Sequence, residues 1–199
     1  MIITVASAKG GCGKTTTAVH LAAYFQKLAP TLLLDGDETR NATEWSQQGD
    51  GFPFKVADQN EAAMLAGKFA HTIIDTGQKP NDADLDALSR GCHLLIIPTV
   101  PAGLDTLGLV QTITILKDRG RSNFRVLLTK VPPAPEQDGP QLRTQLKQMG
   151  IPVFKASIPR LKAFDKAYYA GVPVREVDDP RSERAWKAYA DVGKEIGNG

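Results

Sequence analysis

The run Lys9-Gly10-Gly11-Cys12-Gly13-Lys14-Thr15-Thr16 stands directly behind an apolar stretch, residues 1–6, at the start of the chain. Three glycines let a backbone curl tightly, so that consecutive amide N–H groups converge on one anion. Lys14 is placed to bridge terminal phosphates, and the neighbouring Thr15 hydroxyl to ligate Mg²⁺. A helix following the loop aims its positive dipole end at the same anion. Lys9, Gly10, Gly11, Cys12, Gly13, Lys14, Thr15 and Thr16 are therefore the candidate nucleotide-binding residues of a P-loop. Lys9 adds a second cation that a generic P-loop does not require.

Two later strands also end in chemistry. Residues 31–34 lead into Asp35-Gly36-Asp37, and residues 72–74 into Asp75-Thr76-Gly77. An acidic residue after an apolar strand, opposite a P-loop, is the expected partner of Mg²⁺. Asp75 suits that role through a water, which leaves Asp37 to position an attacking water or accept its proton. Thr15, Asp37 and Asp75 are the candidate metal residues, and Lys9, Lys14 and Asp37 the candidate catalytic ones. Asp35 reads equally well as a residue that only holds its loop. His20, His71 and His93 have no metal-ligand spacing and read as packing or surface residues. A guanine site uses Asn-Lys-x-Asp after a late strand. Here Thr129-Lys130-Val131-Pro132 lacks the base-reading carboxylate, which favours ATP.

The elements that must position these groups follow from hydrophobic periodicity. Strands are predicted over residues 2–6, 31–34, 54–56, 72–74, 94–97 (closed by Pro98), 126–129 and 153–154. Helices are predicted over 15–28, 61–70, 83–90, 104–117, 141–149 and 181–196, with Asn41 as N-cap of a short helix through Trp45. Short apolar strands alternating with helices give an α/β chain: a mostly parallel, twisted sheet covered by helices on both faces. Such sheets bind ligands at the carboxyl ends of their strands, where the loop and the aspartates fall. No linker or repeat divides residues 1–199, which read as one domain.

Composition narrows the class. No apolar run approaches the length of a membrane span, and no signal peptide is evident. Two cysteines among 199 residues are too few for a disulfide framework and fit a reducing cytoplasm. The net charge is only +2, but residues 1–116 carry 8 Lys/Arg against 12 Asp/Glu, and residues 117–199 carry 16 against 10. A basic second half is either a set of solvated helix faces or a surface for a polyanion such as DNA.

Together these segments resemble the ParA-type ATPases of the ParA/MinD superfamily, in the small form without an N-terminal helix-turn-helix domain. Residues 9–16 look like the deviant Walker A motif, 32–37 like Walker A′, Asn41-Ala42-Thr43 like the switch and 73–76 like Walker B. Residues 95–98, 158–160, 170–174 and the closing helix extend the likeness over nearly the whole chain. Glu38-Thr39 and Gly77-Gln78 depart from it, standing where relatives often carry Pro-Gln and Pro. The resemblance implies a P-loop NTPase fold and slow, partner-stimulated hydrolysis of ATP with Mg²⁺. It implies an ATP-dependent homodimer in which Lys9 reaches the partner's nucleotide, an adenine pocket near Pro159, and non-specific DNA binding on the nucleoid. It also implies a ParB-like adaptor, and a cargo that is a plasmid, a chromosome or a protein organelle such as the carboxysome. The alternatives are a MinD-like membrane-positioning ATPase, which would need a C-terminal amphipathic helix, and a metabolic P-loop ligase or small-molecule kinase.

Overall fold

Six strands run the same way. In the computed structural model Ile2–Val5 (β1), Thr31–Gly36 (β2), Lys55–Asp58 (β3), His71–Thr76 (β4), Leu94–Thr99 (β5) and Phe124–Leu128 (β6) pair in the order β3-β2-β4-β1-β5-β6, each pairing parallel. The helices are Lys14–Gln26 (α1), Asn41–Gln47 (α2), Ala62–Leu65 (α3), Asp82–Arg90 (α4), Asp105–Asp118 (α5), Asp138–Gln148 (α6), Ala163–Ala170 (α7) and Ser182–Gly197 (α8), with a 3₁₀ turn at Val174–Glu176. The structure describes residues 1–7, 9–65, 67–77, 80–102 and 105–198, without the side chains of 105–107. The sequence readings that touch Ala66, Gln78 and Leu104 lie outside them at those positions.

Successive side chains of a strand point to opposite faces, and here both faces are dry. Ile3, Val5, Leu33, Ile73, Ile96 and Leu127 enter one core with α1, α2, α7 and α8. Ala6, Leu95, Ile97, Val126 and Leu128 enter the other with α4, α5 and α6. That double burial is why the strands read as unbroken apolar runs rather than alternating ones.

Several boundaries differ from the sequence expectation. β2 and β4 run two residues further than predicted, so Asp35 and Asp75 lie inside the ladder, paired in register with each other. Asn41 is the first residue of α2 and not its cap. Arg40 holds the cap position in the left-handed region (φ 54), with no capping side chain of its own. The acceptor comes instead from β2: Asp35 Oδ2 takes the Thr43 N–H at 2.8 Å. The helix expected over 61–70 shrinks to Ala62–Leu65, with Gly67 beyond it at φ 77. β5 runs through Pro98, and the strand expected at 153–154 is a single bridge to Val126. The short helix α7 was not anticipated.

Candidate nucleotide-binding site

The P-loop leaves β1 and enters α1 by a backbone path that glycine makes accessible. Gly11 and Gly13 have φ of 74° and 87°, a region L-residues with a Cβ avoid. Gly13 is the N-cap of α1 and brings no side chain to cap it, so the first-turn N–H groups stay available to an anion. Lys14 is 6% exposed at the base of the loop. The outer side of the loop is tied down. Cys12 Sγ donates to Lys9 O (3.3 Å), Thr129 Oγ1 to Cys12 O (2.7 Å) and Lys130 Nζ to Gly11 O (2.7 Å).

The three aspartates meet beside this loop but are held differently. Asp35 is fully buried and saturated: Oδ2 accepts the N–H and hydroxyl of Thr43, at 2.8 and 2.7 Å, and Oδ1 accepts the Asp37 N–H at 3.3 Å. It holds the loop and starts α2. Asp37, also buried, has Oδ1 fixed by the N–H (2.9 Å) and hydroxyl (2.7 Å) of Thr39. The residue read as a departure from the family pattern is thus what orients Asp37. Asp75 is fully buried, and no described donor reaches either carboxylate oxygen within hydrogen-bond distance. Burial pushes its pKa up to about 7, with Asp35 and Asp37 adding to the rise. The Thr15 hydroxyl and the Lys14 ammonium stand close enough to oppose it in part. A buried carboxylate with unused lone pairs beside a threonine hydroxyl suits a hard cation that takes one or two carboxylates plus phosphate oxygens.

A cleft of about 790 Å³ opens over the loop and Asp37, whereas Asp75 lines a separate cavity of about 480 Å³ with Gly36, Gln59 and Thr76. The floor of the cleft includes Gly11, Gly13, Lys14, Thr15 and Thr16, and Asp37 stands on one wall. The same cleft is lined by Thr129, Lys130 and Pro133 and by residues 158–161, Pro159 among them. Lys9 lies instead on a separate cavity of about 200 Å³ behind the loop, against β5 and α5. Sequence reasoning missed Trp45, Phe164 and Tyr168 on the cleft wall; α7, which carries two of them, left no clear periodic signal. Trp45 Nε1 donates to Ala167 O at 3.0 Å, fastening α2 to α7.

His20 is a packing residue. Nδ1 sits 2.7 Å from Thr16 O, and Nε2 accepts the Val174 N–H at 3.0 Å, which requires the neutral ring with its proton on Nδ1. Burial lowers its pKa to about 4. The basic second half is not uniform either. Arg121 is paired with Asp86 (2.7 Å) and Lys166 with Asp179 (2.8 Å), while Arg143 donates to the carbonyls of Phe154 and Ala156. Arg160, Arg181, Arg184 and Lys187 line a basin of about 520 Å³ next to the cleft, where Lys187 pairs with Asp191 of the same basin (2.6 Å) and Arg160 with Glu136 (3.7 Å). On α8, Tyr189 and Val192 are buried, and Trp186 and Ile196 pack against the same core. No helix among the described residues is long and apolar enough to cross a membrane.

Residues 3–174 match the CobQ/CobB/MinD/ParA nucleotide-binding domain family. The chain is 30% identical to the maintenance of carboxysome distribution protein A of Gloeobacter kilaueensis, over 98% of this chain and 93% of that one. Its fold superposes on that of Cyanothece McdA, an aspartate-to-alanine variant in complex with ATP, with a TM-score of 0.78 at 17% identity, covering 98% and 96% of the two chains. It also superposes on the septum site-determining protein MinD of Pyrococcus horikoshii in complex with Mg-ADP, with a TM-score of 0.72 at 17% identity and coverage of 98% and 95%. The doubly covered parallel sheet is thus the P-loop NTPase fold of these proteins.

Proposed function

The chain belongs to the CobQ/CobB/MinD/ParA nucleotide-binding family, and from that premise we propose that it is a Mg²⁺-dependent ATPase that dimerises on ATP, binds DNA without sequence preference and positions a cargo. Residues 1–199 act as one ATPase domain in this reading. The observation that carries it is the single cleft in which the P-loop, Asp37 and residues 158–161 face one another. The relative named for carboxysome distribution makes a protein organelle the first cargo to test, ahead of a plasmid or chromosome.

Each residue then has a task. The N–H groups of residues 10–16 cradle the phosphates, Lys14 bridges the terminal ones, and Lys9 reaches the nucleotide of a second subunit. The Thr15 hydroxyl and the Asp75 carboxylate would hold Mg²⁺, Asp75 through a water, with Asp37 close by. The ion, when bound, neutralises charge on the phosphate oxygens. Asp37, held by Thr39, orients the attacking water and takes its proton. Positioning by a fixed carboxylate alone gives slow turnover, so a ParB-like adaptor is the expected stimulator. The basin next to the cleft supplies Arg181 and Arg184 as cations for DNA phosphates, with Arg160 and Lys187 beside them already paired with Glu136 and Asp191, on the nucleoid in the cytoplasm.

The test is sedimentation and DNA retention of Asp37→Ala protein with ADP and with ATP plus Mg²⁺. A dimer that holds DNA only with ATP, and releases it as salt rises, supports the proposal. A monomer indifferent to nucleotide and DNA would redirect the reading to the P-loop ligases and small-molecule kinases.

A further inference from the structure

Thr129 and Lys130 close β6 and stand 117 and 119 residues along the chain from the P-loop carbonyls they touch. Thr129 Oγ1 has a single proton and two carbonyls in range, Cys12 O at 2.7 Å and Thr99 O at 3.1 Å. The Thr99 carbonyl already accepts the Thr129 backbone N–H at 2.8 Å. The hydroxyl proton therefore belongs to Cys12 O. Lys130 Nζ donates to the preceding carbonyl, Gly11 O, at 2.7 Å, a charge-assisted bond. Lys130 does this from the left-handed region, φ 48, where a residue with a side chain is strained. Such a conformation persists where the surroundings over-determine it, and these bonds do so.

In a trans peptide the N–H of one residue points opposite to the carbonyl of the residue before it. Holding the Gly11 and Cys12 carbonyls therefore fixes the directions of the Cys12 and Gly13 N–H groups. We propose that Thr129 and Lys130 are positioning residues for nucleotide binding: a two-point clamp that sets the P-loop amides in their anion-binding orientation before any ligand arrives. The clamp rests on the nucleotide reading of the cleft for its purpose, but not for its existence. It gives the lysine at the end of β6 a role in shaping the phosphate cradle and none in reading the base.

The test uses Thr129→Val, Lys130→Met and Lys130→Gly, with Thr129→Ser and Lys130→Arg as conservative controls. Amide hydrogen exchange on the nucleotide-free protein comes first. Thr129→Val and Lys130→Met should speed exchange several-fold in a peptide covering residues 9–17 and leave the rest of β6 as it was. Unchanged exchange there overturns the clamp, whatever the cleft binds. Next, fluorescent ADP and ATP are titrated onto each variant. The clamp predicts an affinity loss of about tenfold, equal for ADP and ATP, because the loop amides cradle phosphates the two share; Thr129→Ser and Lys130→Arg should recover most of it. A loss confined to ATP would make Lys130 a ligand of the last phosphate and refute the positioning role. Lys130→Gly separates positioning from stability. It relieves the strained φ and deletes the amine, so the melting temperature should hold or rise while affinity falls. A parallel fall in both would reduce Lys130 to a structural residue. Wild-type protein that bound neither nucleotide would defeat the nucleotide reading, and the exchange result would still decide the clamp.

Discussion

Asp35 and Asp75 are the same residue type, fully buried, on neighbouring strands and opposite one another in register. Everything else about them differs. Asp35 accepts three hydrogen bonds from Asp37 and Thr43 and starts α2. Asp75 accepts none from the described residues and has a pKa raised to about 7. Burial alone therefore says nothing about role; what matters is whether donors have been built around the charge. A satisfied buried carboxylate serves as scaffold, whereas an unsatisfied one beside the P-loop keeps lone pairs that a ligand can use.

The largest expected effect is on the satisfied side. Asp35→Ala strands two backbone N–H groups and a hydroxyl, at roughly 1–3 kcal/mol for each orphaned group. Nucleotide-free protein should lose about 5 kcal/mol in urea unfolding. A loss below about 1 kcal/mol would erase the contrast.

Asp75→Asn should act in the opposite direction. A carboxyl with a folded pKa raised from 3.8 to about 7 keeps its proton in the folded state after the unfolded chain has lost it. Stability therefore falls as pH rises from about 4 to 7 and then levels off, by about 4 kcal/mol at most. The variant should be more stable than wild type at pH 8, equal to it near pH 4, and weaker in binding Mg²⁺-nucleotide. Denaturant midpoints at the two pH values check this.

His20 sharpens the same comparison because its slope has the other sign. Its folded pKa of about 4 lies below its unfolded 6.5, so stability is lost as pH falls from about 6.5 to 4, by roughly 3 kcal/mol. The two slopes partly cancel in wild type. Asp75→Asn should uncover the His20 slope as a steeper acid loss of stability between pH 6.5 and 4; a flat profile in that variant would contradict the neutral, Nδ1-protonated ring.

Two smaller changes probe the Asp35 side. Thr43→Val removes the 2.7 Å hydroxyl bond while keeping the backbone one, for a loss of about 1 kcal/mol. Arg40→Gly deletes a half-exposed pair with Asp58 and the 3.2 Å bond to the Asp35 carbonyl, and relieves a left-handed φ. The lost bonds and the relieved strain oppose, so the thermal unfolding midpoint should move less than for Thr43→Val.

The local parts of this protein were legible in its sequence. Residues 9–16 announce an anion cradle because glycines, lysine and threonine act through the backbone they sit on, and no distant contact is needed to read them. The alternation of apolar runs with helical stretches fixed an α/β sheet because strands dry on both faces leave an unbroken apolar signature. The tertiary structure decided what depends on partners far along the chain. It made Asp35 scaffold and left Asp75 open, it turned the Thr39 departure into a brace for Asp37, and it set Thr129 and Lys130 against the P-loop. Type and spacing carry a residue's capacity to accept or donate a proton; only the fold determines which of those capacities are already used.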